Sequence, residues 1–210
     1  MNYRSVSQSA MFLVLFAVAG VAVVAFTYHS TAERIAHNEK AALLRSINDV
    51  VPAERYDNDI FNDVIAVTNE EMLGSPDPVP IYRARKNAAP VAAVFAAVAP
   101  DGYNGNIKLL VGVNADGTLS GVRVVTHHET PGLGDAIEIE RSNWVHEFDG
   151  RSLADPDEKH WKVKRDGGVF DQFTGATITP RAVVKAVHNV LLYFQLHSDT
   201  LFKQAPETTP

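Results

Sequence analysis

The sequence predicts an α+β protein: one N-terminal membrane-crossing helix, then a domain with an antiparallel sheet and flanking helices. Three observations carry this prediction. From Ala10 to Phe26 the only residue outside the hydrophobic class is Gly20. Two stretches rich in Val, Leu and Ile, 106–113 and 119–126, flank the turn Asn114-Ala115-Asp116-Gly117. Near the C-terminus, Thr179-Pro180 precedes a strongly amphipathic segment.

The apolar run, extended by Thr27 and the interfacial aromatic Tyr28, reaches the roughly 17 to 25 residues that a helix needs to span a bilayer. The competing reading is a cleaved signal peptide, whose apolar core is usually about 7 to 15 residues long. An Ala17-Val18-Ala19 site exists, but it lies inside the run and leaves too little core before it, so a retained anchor is preferred. Arg4 is the only charged side chain before the run, and Glu33 and Arg34 are the first after it. The positive-inside bias therefore places the bulk of the chain outside the cytoplasm.

With 46% hydrophobic and 21% charged residues, the composition is that of a folded protein. A net charge of −6 without a cationic stripe argues against a nucleic-acid partner. The absence of cysteine excludes thiolate metal sites, iron–sulfur ligation, thiol redox chemistry and disulfides. Any redox work needs a borrowed cofactor.

Beyond the anchor, Leu43, Ile47 and Val50 fall at i, i+4 and i+7 before Pro52, which predicts a helix over 31–51. The Asp-, Asn- and Pro-rich stretch 57–80 reads as connecting structure. Within 90–100, Val91, Val94, Phe95 and Val98 have helical spacing, although the length and the strands that follow favour a buried strand. Segment 135–145 alternates acids with Ile137 and Ile139 and is left open between a short helix and extended chain. Trp161 to Lys164 reads as a strand closed by Asp166-Gly167-Gly168. Finally, Thr179 caps a helix over 181–195, with Pro180 at its first position and Val183, Val184, Val187, Leu191 and Phe194 as the buried stripe. The organisation expected is an anchor over 1–30, a juxtamembrane helix and connecting region over 31–89, a folded domain over 90–197 and a polar tail over 198–210.

The segment Asp171-Gln-Phe-Thr174-Gly175-Ala176-Thr177-Ile-Thr179-Pro180 reads from its residues alone as a turn that starts a helix, with nothing special at Thr177. It also resembles the D-x-x-[S/T]-G-A-T flavinylation motif of FMN-binding domains. The resemblance implies that Thr177 receives FMN as a phosphoester from FAD through a magnesium-dependent flavin transferase, with Thr174, Gly175 and Ala176 in the attachment pattern. A phosphate there sits just before a helix N-terminus, where free N–H groups and the helix dipole favour negative charge.

A second cluster, His127-His128-Glu129-Thr130-Pro131-Gly132-Leu133-Gly134, closes the hairpin. It admits a simple turn. It also admits a metal site on His127, His128 and Glu129, since imidazole and carboxylate suit Zn, Fe or Mn; adjacent strand residues point to opposite faces, which argues against it. The cluster resembles the E-T-P-G-L-G loop that holds the isoalloxazine in FMN-binding domains. The resemblance implies that Glu129 and Thr130 hydrogen-bond the polar ring edge, Leu133 covers a ring face and Gly134 permits close approach. Lys162 is a further candidate to face the flavin or its phosphate, against the commoner outcome of a solvated lysine.

The likeness to FMN-binding domains runs from about Pro90 to Val190. With the anchor, Pro52-Ala-Glu-Arg-Tyr56, Ala99-Pro-Asp-Gly-Tyr103 and Phe173 to Pro180, the chain resembles the G-subunit family of the Rnf electron-transport complex. The C subunit of the sodium-pumping NADH:quinone oxidoreductase, typically longer, is the alternative of the same class. The resemblance implies a covalently flavinylated electron-transfer subunit, linked to ferredoxin and NAD, of an ion-translocating complex in the bacterial inner membrane. Its domain is expected on the periplasmic side. Its expected partners are the other membrane subunits, the flavin transferase that matures it, and lipid around its one helix. A single helix cannot pump ions alone. From a different class, an extracytoplasmic assembly or sensing module without flavin stays open; a soluble FMN-dependent reductase is disfavoured by the anchor and by the lack of a dinucleotide fingerprint.

Overall fold

The computed structural model describes residues 3–203, in two compact units divided between Arg45 and Ser46. The last residues of the expected polar tail, 204–210, lie outside the described residues.

Helix α1 (Tyr3–Val50) contains all the described residues of the first unit. It is one continuous helix, where the sequence suggested a second helix beginning at Thr31. No Gly or Pro interrupts 27–50, and the hydroxyls at the polar transition bond back along the helix. Thr27 donates to the Val23 carbonyl at 2.8 Å, Ser30 to Phe26 at 2.7 Å and Thr31 to Thr27 at 2.9 Å. These bonds satisfy polar side chains inside the helix itself. Along the apolar run, side chains from Phe12 (58% exposed) to Phe26 (75%) face outward, and the helix is long and apolar enough to cross a membrane.

The second unit is built on a six-stranded antiparallel sheet: β1 (Val64–Val67), β2 (Val79–Lys86), β3 (Ala89–Phe95), β4 (Val98–Ala99), β5 (Ile107–Asn114) and β6 (Leu119–Thr126). β1 pairs with β2, β2 with β3, and β3 and β4 share one edge of β5 while β6 takes the other. The β5–β6 hairpin and the buried strand within 90–100 appear as the sequence predicts. The stretch read as connecting structure does not: it holds β1, the single-turn helix α2 (Glu70–Leu73) and the start of β2. Its strand is only four residues long and pairs on one side only, too short for a periodic signal.

Alternation along the strands divides the core. Ile81, Ala93, Phe95, Leu109, Val111 and Val113 pack with helix α3 (Ile178–Leu201), whose Val183, Val187, Val190, Leu191 and Phe194 are buried; Phe95 meets Tyr193 and Phe194 edge-on. Ile47, Val50 and Val51, buried outside that cluster, belong to the opposite layer with Leu110 and Val94.

Between β6 and α3 the chain forms 3₁₀ turns at Gly134–Ile137, Trp144–Phe148, Glu158–His160 and Lys164–Asp166, with no regular strand. The segment 135–145, left open by the sequence, begins in the first of them and ends in the second, with turns and bends between. The expected strand at Trp161–Lys164 is corrected: Val163 makes only an isolated bridge to Phe170, and no ladder extends from it. Trp161 and Val163 are buried while Lys162 and Lys164 are exposed, so the side chains alternate as in a strand without a ladder to join. Aromatic rings hold this region instead. Phe148 stacks on Phe170 at 4.7 Å, Trp161 lies 5.1 Å from Phe170, and Trp144 meets Phe173 edge-on at 5.2 Å while its indole N–H donates to the Asp171 carbonyl at 2.8 Å.

Candidate functional site

Three segments converge at the N-terminus of α3. The first is the loop 100–105 between β4 and β5, the second is the loop 127–134 after β6, and the third is the turn that leads into α3. Together they line a pocket of about 350 Å³ with Tyr103, Glu129, Thr130, Leu133, Gly134 and 175–179. That volume lies in the range of small-molecule sites, roughly 300–1,000 Å³.

The turn is fixed by Gly175, whose φ of +85° is left-handed, with the Ala176 N–H bonded to the Phe173 carbonyl at 3.2 Å. Thr177 follows with nearly helical dihedrals (φ −87°, ψ −25°) and caps nothing with its side chain. Its hydroxyl, partly exposed at the pocket, has no hydrogen-bond partner among the described residues. The N–H groups of Ile178 and Thr179 have no acceptor among the described residues either, and Pro180 offers none. A helix start with unclaimed N–H groups beside a free hydroxyl favours an anionic oxygen at that place.

The structure corrects the cap assigned to Thr179. That side chain is fully buried, and its hydroxyl donates to Glu129 Oε2. Glu129 is 4% exposed, and its other oxygen accepts the Asn104 N–H at 3.0 Å. The Asn104 amide also donates to the Thr130 hydroxyl at 3.3 Å. Both carboxylate oxygens of Glu129 thus serve the protein. The close neighbours of Gly134 are internal: a Cβ there would lie 2.9 Å from Glu129 Oε2 and from Thr179 Oγ1. Leu133 is 44% exposed over the pocket, and a Cβ on Gly175 would come within 3.2 Å of its Cδ2.

His127 has both ring nitrogens engaged. Nδ1 accepts the Glu129 N–H at 3.0 Å, so the ring proton is assigned to Nε2, which donates to Glu138 at 2.7 Å. Thr174 is exposed and does not line the pocket, and Lys162 is exposed and does not reach it. The loop that replaces the expected strand leaves Lys162 outside the pocket lining. Sequence reasoning missed Tyr103, 65% exposed at the pocket, as well as Asn104 and Ile178. No local pattern joins residues 103 and 104 to a motif about 70 positions later; only the register of β4 and β5 brings them there.

Ion pairs flank the turn. Arg181 holds Asp166 through two bonds, at 2.5 and 2.6 Å, which lowers the Asp166 carboxyl from its ordinary value. Lys164 pairs with Asp171, and that hydrogen bond raises the Lys164 ammonium. Glu147 accepts the Asp171 N–H at 2.9 Å, yet burial raises its carboxyl.

Comparison with known proteins matches 102–192 to the FMN-binding domain model and 1–50 to the RnfG N-terminal region. The chain is 47% identical over 197 residues to the G subunit of the ion-translocating oxidoreductase complex of Aliivibrio fischeri strain MJ11, covering 94% of each chain. It belongs to the family of G subunits of ion-translocating oxidoreductase complexes. The Pseudomonas aeruginosa strain UCBPP-PA14 member is 49% identical, with 97% of this chain and 94% of that one covered. For the Shewanella oneidensis strain ATCC 700550 member the identity is 45%, with 94% and 93% covered. Every residue of the pocket lies inside the FMN-binding domain match. The donor set fits such a cofactor: a free hydroxyl and unclaimed N–H groups suit a phosphate, and Tyr103, Leu133 and Ile178 offer apolar surface to a ring system.

Proposed function

We propose that this G-family chain carries FMN on Thr177 through a phosphoester bond and works as an electron-transfer subunit of an Rnf-type complex. The observation that carries the attachment is the unpartnered Thr177 hydroxyl, placed at the pocket directly before the unclaimed N–H groups of Ile178 and Thr179. Those groups receive the phosphate charge, assisted by the helix dipole. Thr174 and Gly175 form the exposed approach for the flavin transferase, while Leu133, Tyr103 and Ile178 shield the ring from water.

When bound, FMN supplies one-electron acceptance and release. The protein contributes position and local charge. Ion movement belongs to the other membrane subunits, because α1 is the only candidate span among the described residues. Its exposed apolar side chains contact lipid or those subunits. The Arg4 asymmetry supports a periplasmic position, at the inner membrane, for the FMN-binding domain.

Thr177→Val preserves shape and removes the hydroxyl. Coexpressed with the flavin transferase, it is expected to lose the whole added mass of FMN and the in-gel flavin fluorescence, with stability changed by no more than about 0.5 kcal/mol. Covalent FMN on the Thr177→Val protein, read by intact mass, overturns the assignment.

A further inference from the structure

A covalent tether fixes one end of a flexible ligand and leaves the other free to rotate, so attachment at Thr177 does not by itself orient a ring. The pocket walls come from three segments distant in sequence, and one carboxylate joins them. Glu129 Oε1 takes the Asn104 N–H at 3.0 Å, which ties in the wall that bears Tyr103. Glu129 Oε2 takes the Thr179 hydroxyl, which ties in the first turn of α3, two residues beyond Thr177. The Glu129 backbone belongs to the Leu133 wall, where the N–H groups of Leu133 and Gly134 return to the Thr130 carbonyl at 3.1 and 3.0 Å.

A carboxylate 4% exposed costs free energy unless its oxygens are bonded, and here both bonds cross between walls. Gly134 leaves no room for a side chain beside the pair: a Cβ would fall 2.9 Å from each partner. The clamp is thus packed from three sides and lies under the pocket, which Thr179 and Glu129 both line.

We propose that Glu129 and Thr179 are positioning residues: their hydrogen bond locks the 102–105, 129–134 and 175–179 walls in one geometry, so that a flavin tethered at Thr177 is held against Leu133 and Tyr103. This rests on the reading of Thr177 as the attachment point. Neither residue takes part in forming the phosphoester. Both act on the ring through the walls, and the buried Glu129 charge opposes a gain of negative charge beside it.

The test uses the full chain, coexpressed with the flavin transferase and purified in detergent, as wild type, T179V, T179S, E129Q and T177V. Intact mass reports attachment, visible circular dichroism and fluorescence anisotropy report how the ring is held, and a redox titration reports its poise. T179V and E129Q are expected to keep the FMN mass but lose most of the visible dichroism and anisotropy, while T179S retains both. In E129Q, removal of the charge shifts the one-electron equilibrium about tenfold toward reduction, roughly 59 mV upward. Wild-type dichroism and anisotropy in T179V and E129Q, with only a lowered melting temperature, would overturn the proposal and leave the pair as ordinary packing. Should T179V fail to fold, the contrast between T179S and E129Q decides in the same way. FMN mass retained on T177V sinks the attachment reading, and this proposal with it, through a separate measurement.

Discussion

Thr177, Thr179 and Gly175 lie within five residues, and each owes its role to a different surrounding. Thr177 faces the pocket with a free hydroxyl, Thr179 turns inward to a buried carboxylate, and Gly175 bends the chain between Phe173 and Ala176. Gly175 is the most sensitive to a small change. Its φ of +85° costs an L side chain roughly 1–2 kcal/mol, and an added Cβ would press on the tip of Leu133 at 3.2 Å, which has room to rotate away. Gly175→Ala is therefore expected to lower stability by about 1–2 kcal/mol and to reduce FMN occupancy, read by thermal melting and intact mass. Unchanged melting with full occupancy would show that the turn adapts without strain.

At the scale of elements, α3 is held at both ends by side chains from distant strands and loops. Its N-terminus is pinned by Glu129, and its C-terminus by two arginines of β2. Arg83, fully buried, donates to the Leu201 carbonyl at 2.8 Å, and Arg85 donates to the Phe202 carbonyl at 2.7 Å with its guanidinium over the Phe202 ring. Cations at carbonyls left open by a helix end are favourable. Asp63 pairs with both arginines, bonding Arg85 Nε at 2.6 Å, and so balances the buried charge. Removing one partner of a buried pair costs about 3–5 kcal/mol, because the other charge stays buried. Asp63→Ala is expected to cost toward the lower end, about 3 kcal/mol, since the helix carbonyls still hold the arginines. Trp fluorescence during thermal unfolding measures it, and a loss below about 0.5 kcal/mol would mean that Asp63 is dispensable.

At the scale of the whole molecule, α1 is long and apolar enough to cross a membrane, and the sheet with α3 frames the pocket of the folded domain. With Arg4 before the apolar run, a reporter fused after Pro210 is expected to be active only outside the cytoplasm. Activity of a cytoplasmic reporter at that position would reverse the topology and, with it, the compartment proposed for the FMN-binding domain.

The residues alone determined whatever rests on local pattern. The apolar run is continuous, the β5–β6 hairpin surrounds a polar Gly-containing turn, and α3 shows its stripe from Val183 to Phe194. The motif and loop residues carried the family resemblance in the same local way, because a turn with Gly at positive φ and a helix start are short-range features. Three matters were left to tertiary structure. The strand β1 has too few residues for a period, so only pairing with β2 defines it. Trp161 to Lys164 alternate like a strand, but with no ladder beside them they form a loop, and Lys162 is left outside the pocket. Thr179 has the spacing and neighbours of a helix cap, yet a buried carboxylate 50 residues earlier claims its hydroxyl. A local pattern sets what a side chain can offer; which partner takes it is decided by long-range packing, since the stronger bond is made where water is excluded.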